Sequence, residues 1–203
     1  MRLRVFGDSF CAGDGLVDPS RQAWSAHLTK MRRFNGCVNR GTPGAGNSEI
    51  LDTVFETDFH PGDVAIIQWS NCQRHTNYEL HPNEKRARAR TLDRGNTDKL
   101  RALSRIIHDD AHVHYTQQRM FAAQAHIQNY PNVIVYHLTA HIMPPTDYRA
   151  KFFKSFPQQI DLRFREVDGN YTDLATDDAH PGPKCHWQFA KDLNSRIQLM
   201  PNP

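Results

Sequence analysis

The sequence predicts an α/β protein, a three-layer α/β/α sandwich with helices on both faces of a mostly parallel sheet. Residues 63–69 and 132–138 are nearly continuous apolar runs, which is typical of strands buried on both faces. Segments of helical periodicity separate these runs, and that alternation favours parallel strands joined by right-handed crossovers. The chain has 203 residues, which suits a single domain over residues 1–203 with a full core.

The predicted elements before the first buried run are short. Residues 3–6 form a strand that Gly7 ends. Residues 22–33 can form a helix, because three large apolar side chains recur near one face. These side chains are Trp24, Leu28 and Met31.

Two further helical regions are predicted in the second half of the chain. Residues 98–128 have helical periodicity, but His112 and His114 interrupt the apolar pattern, which predicts two helices or a kink there. A last helix is expected from about residue 184 to 199, just after Pro183, at a position where proline is tolerated. Its apolar face consists of Trp187, Ala190, Leu193 and Ile197.

The segment 139–176 is long, irregular in pattern, and rich in phenylalanine and arginine. Long segments without regular structure in a compact domain are usually functional, so a substrate-facing insertion is expected here. The alternative is a short extra pair of strands packed on the edge of the sheet.

Charge and composition argue against nucleic-acid and membrane partners. The formal net charge is +3, too small for the basic footprint of a nucleic-acid-binding protein. A basic run at residues 85–90 could meet phosphates or an acidic polymer, but a solvated helix face or loop is the alternative. No apolar run approaches the roughly 20 residues that span a bilayer, and no signal peptide is visible. We therefore expect a soluble, cytoplasmic protein, and the oligomeric state stays open.

The cysteines and histidines form no recognisable metal motif. The four cysteines lack CxxC spacing, which argues against a zinc ribbon or a thioredoxin motif, and scattered thiols fit a reducing compartment. Among twelve histidines, His112 with His114 and His137 with His141 have usable spacings. Metal sites need three or four convergent ligands, so we expect neither a metal nor a cofactor.

The predicted fold also indicates where function lies. In open parallel sheets, sites form at the carboxyl ends of strands. This rule places the candidate site just after Phe6, around residues 41–46, and just after Trp69.

Candidate catalytic residues occur at two places. Gly7-Asp8-Ser9 follows the first strand, where a serine at a strand-to-helix turn can present its hydroxyl beside backbone N–H groups. An ordinary turn with Ser9 as the helix cap gives the same pattern. Asp177 lies three residues before His180, a spacing that lets the carboxylate reach the imidazole and fix its tautomer. A loop entering the last helix is the alternative there.

Together these segments resemble the SGNH (GDSL-like) serine hydrolases. The resemblance covers four blocks in the expected order over nearly the whole chain. The blocks are Gly7–Ser9, the glycine block Asn39–Asn47, the block Trp69–Asn71 that matches at its asparagine, and Asp177–His180.

The resemblance implies a flavodoxin-like strand order and a catalytic triad. Ser9 would attack an ester carbonyl, His180 would take the proton and return it to the leaving alcohol, and Asp177 would orient the imidazole. Asp178 is the alternative acid.

The resemblance also implies an oxyanion hole. Its donors would be the backbone N–H groups of Ser9 and Gly44 and the side chain of Asn71. Gly46 competes with Gly44 for this role.

The sequence departs from the family pattern in the third block. Trp69 stands where the family has glycine, and Cys72 stands where it has aspartate. Trp69 is a tentative substrate-binding residue, with core packing as the alternative. Cys11, just past the nucleophile, is interpreted as a small core residue.

We therefore expect a serine esterase that acts on a small-molecule or glycan ester through an acyl-enzyme. An O-acetyl group on a carbohydrate is the expected substrate, because the family contains many such esterases and no long apolar lid is visible. Trp69 and the stretch 163–165 would suit a sugar or an acidic polysaccharide. A thioesterase or general short-chain carboxylesterase is the runner-up, and a catalytically silent glycan-binding module on the same fold is the alternative from another class.

Overall fold

The computed structural model describes residues 1–72, 75–80, 87–92, 109–139, 158–164, 166–167 and 170–197. Its strands are β1 (Leu3–Gly7), β2 (Cys37–Gly41), β3 (Val64–Gln68), β4 (His75–Leu80), β5 (Ala87–Leu92), β6 (Ile134–Leu138), β7 (Gln159–Ile160), β8 (Glu166–Val167) and β9 (Asn170–Tyr171). Its helices are α1 (Ser9–Ala12), α2 (Pro19–Gln22), α3 (Trp24–Arg32), α4 (Asn47–Phe55), α5 (Asp109–Ile127) and α6 (Pro183–Arg196).

Five strands form one parallel sheet in the order β2-β1-β3-β6-β7. In its register, Phe6 of β1 pairs with Arg40 of β2 on one side and with Ile67 of β3 on the other. The chain leaves β1 for the β2 edge and returns across it to β3, so the strand order reverses between β1 and β3. This is the flavodoxin-type order, in which ligands bind at that reversal point. The α/β prediction and the flavodoxin-like order are confirmed.

Alternating side chains of the strands build one core on each face of the sheet. On one face, Val5, Ile66 and Tyr136 pack with helices α3 and α6. On the other face, Phe6 and Ile67 pack with helices α4 and α5. Because both faces are covered, the central strands β3 and β6 are largely apolar, which is the pattern that predicted them.

The predicted strands at residues 3–6, 63–69 and 132–138 and the last helix are confirmed. Trp187, which was expected on the apolar face of that helix, is instead 45% exposed. The helix expected over residues 22–33 is found as α3, with the separate short helix α2 before it. β2 and α4 were not predicted. β2 lies at the sheet edge and its residues are half-buried or exposed, so it lacks the continuous apolar run of a central strand.

The break expected at His112 and His114 is not found within Asp109–Ile127, because α5 continues through both positions. Residues 93–108, at the start of the predicted helical stretch, lie outside the described residues.

The segment 139–176 is described in part. Its strand β7 extends the sheet beside β6, β8 and β9 form a separate hairpin, and Phe164 is buried in the core. Residues 140–157 lie outside the described residues, so the substrate-facing insertion stays a prediction there.

The basic run at residues 85–90 was expected on a helix face or a loop. Its described part instead belongs to β5, which pairs with β4 in an antiparallel hairpin, while residues 85 and 86 lie outside the described residues. Within the described residues, no helix is long and apolar enough to cross a membrane.

Candidate active site

The turn that carries Ser9, the candidate nucleophile, connects β1 to α1. Ser9 is the first residue of α1, and its 5% exposure leaves it nearly buried. Asp8 caps this helix by accepting a hydrogen bond from the backbone N–H of Phe10 at 3.1 Å. The Asp8 carboxylate also accepts a hydrogen bond from the Ser70 hydroxyl at 2.9 Å. The cap therefore orders the turn that carries Ser9 and ties it to the end of β3.

The glycine block lies beside this turn. The backbone N–H of Thr42 donates to the carbonyl of Gly7 at 2.9 Å, and Ala45 N–H closes a turn onto the Thr42 carbonyl at 3.1 Å. Gly44 occupies this turn with φ of 77°, a left-handed conformation that favours glycine. Gly44 is exposed and an added Cβ would meet nothing within 4 Å, whereas Gly46 is buried as the N-cap of α4. Of the two candidate glycines, Gly44 offers its backbone to open space.

The third block follows β3 and is held by Asn47. The Asn47 side chain accepts from the backbone N–H of Ser70 at 2.8 Å and donates to the Ser70 carbonyl at 3.1 Å. Asn71 follows directly and is half-buried. The block is therefore anchored at the reversal point between β1 and β3, where flavodoxin-type folds bind ligands.

Asp177 and His180 form a hydrogen-bonded pair before α6. The distance from His180 Nδ1 to Asp177 Oδ2 is 2.6 Å. The other carboxylate oxygen accepts from the backbone N–H groups of His180 at 3.0 Å and Ala179 at 3.1 Å. Hydrogen bonds from the His180 backbone, its ring and the Ala179 backbone lower the pKa of Asp177 to about 2. Of the two candidate acids, the carboxylate paired with His180 is thus that of Asp177, while Asp178 is exposed with φ of 55°.

Close contacts join this pair to the segment that follows Ser9. Thr176 donates to the Gly15 carbonyl from its backbone N–H at 3.0 Å and from its hydroxyl at 2.8 Å. An added Cβ on Gly15 would lie 2.7 Å from the Asp177 carboxylate carbon, so glycine is required for this approach. The rings of Phe10 and His180 meet edge to face with centroids 5.6 Å apart. The residue after Ser9 thus contacts the imidazole that Asp177 orients.

Comparisons with known proteins identify the fold. No protein-family model matches the chain, and no curated protein matches it. Among solved structures, a lipolytic protein of the G-D-S-L family from Desulfitobacterium hafniense DCB-2 superposes with a TM-score of 0.58, at 16% identity over 97% of this chain and 99% of that chain. The chain has the SGNH (GDSL-like) hydrolase fold.

Two further structures share this SGNH fold. The psychrotrophic esterase EstA from Pseudoalteromonas sp., in a structure inhibited by monoethylphosphonate, has a TM-score of 0.56 and 16% identity over 96% of this chain and 94% of that chain. The lipase Lip_vut3 from a goat rumen metagenome has a TM-score of 0.54 and 15% identity over 96% of each chain.

Trp69, the tentative substrate-binding residue, lies in the core of the SGNH fold. Its side chain is fully buried, and its indole N–H donates to His137 Nδ1 at 3.0 Å. The two rings are nearly parallel, with centroids 6.1 Å apart. Burial lowers the pKa of His137 to about 3, so this imidazole is neutral at ordinary pH. A fully buried indole presents no surface to substrate, which favours the alternative of core packing for Trp69.

Several residues that order this candidate site were not predicted from the sequence. Asp8, Asn47 and Ser70 lie inside or beside the recognised blocks, but their spacing does not indicate that they bond one another. Asn47 offered one signal, since an asparagine directly after a glycine is common where a helix starts. Phe10 gave no signal, because an aromatic residue next to Ser9 can equally belong to the core.

The cysteines and the candidate metal ligands form no further site within the described residues. None of the four cysteines, which all lie in the described residues, forms a disulfide. Burial and the nearby Asp8 raise the pKa of Cys11 well above its usual range, in keeping with its interpretation as a core residue. Within the described residues, no group of three or more histidine, cysteine, aspartate or glutamate side chains could hold a metal ion. His141 lies outside those residues.

Proposed function

We propose that this chain is a serine esterase with Ser9 as nucleophile. The observation that carries the proposal is the Asp177–His180 pair, bonded at 2.6 Å and packed against the turn that begins with Ser9. A carboxylate that orients an imidazole beside a serine at a strand end is the arrangement that activates a serine for acyl transfer.

In the proposed reaction, Ser9 Oγ attacks the ester carbonyl while His180 takes the hydroxyl proton. The imidazolium then returns that proton to the leaving alcohol, and the acyl group stays on Ser9 until water, deprotonated by the same imidazole, releases it as a carboxylic acid. The ionised Asp177 fixes the tautomer of His180 and stabilises its charged form. No step requires another reactant.

The negative charge on the carbonyl oxygen would be held by three donors. We assign them to the backbone N–H groups of Ser9 and Gly44 and to the side chain of Asn71. The left-handed, exposed Gly44 and the anchored third block support this assignment. Losing one such donor typically costs 10²–10³ in kcat, which is about 3–4 kcal/mol of barrier.

The substrate we propose is an O-acetyl group on a carbohydrate. The support for this substrate is the resemblance to a family that contains many such esterases. A cavity of about 470 Å³ lies against α1, α2, α3 and β2, but neither Ser9 nor His180 lines it. The side chains of Asn39 and Ser25 in this cavity bond one another at 3.2 Å, so we do not assign it to the substrate.

The decisive test is hydrolysis of p-nitrophenyl acetate by the wild type and by Ser9→Ala. Turnover by the wild type alone supports the proposal, and release of acetate from an acetylated polysaccharide then tests the substrate. Equal activity of both proteins would exclude Ser9 as the nucleophile. Activity only on long acyl chains or on thioesters would point to the runner-up enzymes.

Equal inactivity of both proteins calls for a phosphonate probe, a class of compound suited to serine esterases because EstA is inhibited by monoethylphosphonate. Labelling of Ser9 by a fluorophosphonate would indicate an activated serine with a narrow substrate range. An unlabelled protein that binds the polysaccharide would instead be a silent glycan-binding module.

A further inference from the structure

Ser70 has both of its backbone groups bonded to a single side chain. Asn47 Oδ1 accepts from Ser70 N–H at 2.8 Å, and Asn47 Nδ2 donates to the Ser70 carbonyl at 3.1 Å. Asn47 is 3% exposed and Ser70 is fully buried, so water cannot replace these bonds easily. The peptide groups on both sides of Ser70 are therefore fixed in orientation.

The orientation of the Asn47 amide is itself determined. Its second N–H donates to the hydroxyl of Thr116 on α5 at 3.1 Å. Rotating the amide by 180° would place two donors face to face at Ser70 N–H and two acceptors at its carbonyl. Asn47 thus links α4, α5 and the end of β3 in one geometry.

The Ser70 hydroxyl extends this link to the nucleophile turn. It donates at 2.9 Å to Asp8 Oδ2, while Asp8 Oδ1 accepts from the backbone N–H of Phe10. One carboxylate therefore holds the helix turn that begins with Ser9 and the residue that immediately precedes Asn71. These two places carry two of the three proposed oxyanion donors.

We propose that Asn47, Ser70 and Asp8 act as a positioning clamp, which sets the distance between the Ser9 turn and the Asn71 side chain and so shapes the oxyanion hole. This inference rests on the proposed esterase function. Of these three clamp residues, Ser70 lies in the third block, between Trp69 and Asn71. A shift of about 1 Å in such a constellation can cost about 10²-fold in rate, so a clamp of buried hydrogen bonds has a measurable effect.

The test is a double-mutant cycle on p-nitrophenyl acetate hydrolysis with Ser70→Ala and Asn71→Ala. Ser70→Ala removes one hydroxyl, and kcat is expected to fall about 10-fold with KM nearly unchanged, since the clamp serves the transition state. In the Asn71→Ala background the same change is expected to have little effect, because the donor that it positions is gone.

A matched control is Thr57→Val. Thr57 is also a buried hydroxyl, and it donates to the carbonyl of Thr53 at 2.8 Å, at the end of α4 away from the site. This change is expected to leave kcat unaltered. If Ser70→Ala fails to fold, as judged by thermal unfolding, Thr116→Val carries the same cycle by loosening Asn47, with an expected loss of about 3-fold in kcat.

The outcomes separate this inference from the function on which it rests. A wild type without Ser9-dependent hydrolysis overturns both. If the wild type shows Ser9-dependent hydrolysis, the clamp alone is overturned when Ser70→Ala leaves kcat unchanged or raises only KM. It is also overturned when the kcat losses of Ser70→Ala and Asn71→Ala multiply in the double variant. A loss of kcat that disappears in the Asn71→Ala background supports the clamp.

Discussion

His180 and His137 differ in burial and in hydrogen-bond partners. The His180 side chain is 24% exposed and bonds to the ionised carboxylate of Asp177. His137 is fully buried, with its ring nitrogens 3.0 Å from the Trp69 indole nitrogen and 3.1 Å from the Gln124 amide oxygen. A carboxylate favours the imidazolium that proton transfer creates, whereas burial among neutral partners opposes it.

The hydrogen bonds also fix the tautomer of His137. An indole N–H can only donate, so Nδ1 of His137 accepts and the ring proton lies on Nε2, facing the Gln124 oxygen. The His180 pair suits proton transfer, while the His137 pair suits the anchoring of Trp69. The comparison predicts that disturbing the first changes the rate and disturbing the second changes stability.

The largest effect is expected from Asp177→Asn. The amide keeps the size of the side chain but loses the charge that stabilises the imidazolium, so kcat for p-nitrophenyl acetate should fall by about 10²–10⁴. Asp178→Asn is the matched control, because Asp178 is exposed and the carboxylate bonded to the His180 ring belongs to Asp177. A greater loss from Asp178→Asn than from Asp177→Asn would reverse the assignment of the acid.

The carboxylate should also stay charged well into acid. Because the pKa of Asp177 is lowered to about 2, any loss of activity between pH 7 and pH 4 has another origin than its protonation. The pH–rate profile of the wild type on p-nitrophenyl acetate should therefore show no inflection from this carboxylate between pH 7 and pH 4.

An intermediate effect is expected on stability as the pH falls. Burial lowers the pKa of both His137 and His186 to about 3, and the charges of His27 and His180 add to the shift of His186. Between about pH 6.5 and pH 3 the unfolded chain binds these protons and the folded chain does not. The contribution of these neutral histidines to the free energy of unfolding is therefore fully present above about pH 6.5. It decreases as the pH is lowered, by up to about 1.4 kcal/mol per pH unit for each histidine.

Urea unfolding at pH 7, 6 and 5 measures this dependence. His137→Asn removes one of the two buried imidazoles and should make the dependence shallower. His60→Asn removes an exposed ring and is the control. Equal dependence in the wild type and in His137→Asn would contradict the burial of a neutral His137.

The sequence predicted the parts of the fold and site that depend on short spacings. The buried strands follow from local apolar runs, and the Asp177–His180 pair lies three residues apart. Asn47 and Ser70 are 23 residues apart, and Trp69 and His137 are 68 apart, so their bonds depend on strand register and helix placement. The chemical groups were therefore predictable, and the side chains that hold them in place were not.

The role of Trp69 also depends on a residue that is distant in the sequence. A tryptophan at a strand end can line a pocket or fill a core, and only a distant partner decides between these roles. Here the partner is His137, which accepts the indole N–H inside the protein. The replacement of the family's glycine by tryptophan at this position is accommodated by the core rather than by the substrate side.

The smallest effect is expected from Trp69→Phe. Phenylalanine keeps most of the buried apolar surface but removes the N–H donor, so His137 Nδ1 loses a hydrogen bond in a place that water cannot reach. The free energy of unfolding should decrease by about 1–3 kcal/mol, as measured by urea denaturation at pH 7. If Trp69 anchors the strand end only through the core, kcat and KM stay within about 2-fold of the wild type. A folded Trp69→Phe protein that loses as much kcat as Ser70→Ala would show that the Trp69–His137 pair also positions Asn71. In that case His137 would affect the rate as well as stability, and its contrast with His180 would no longer hold.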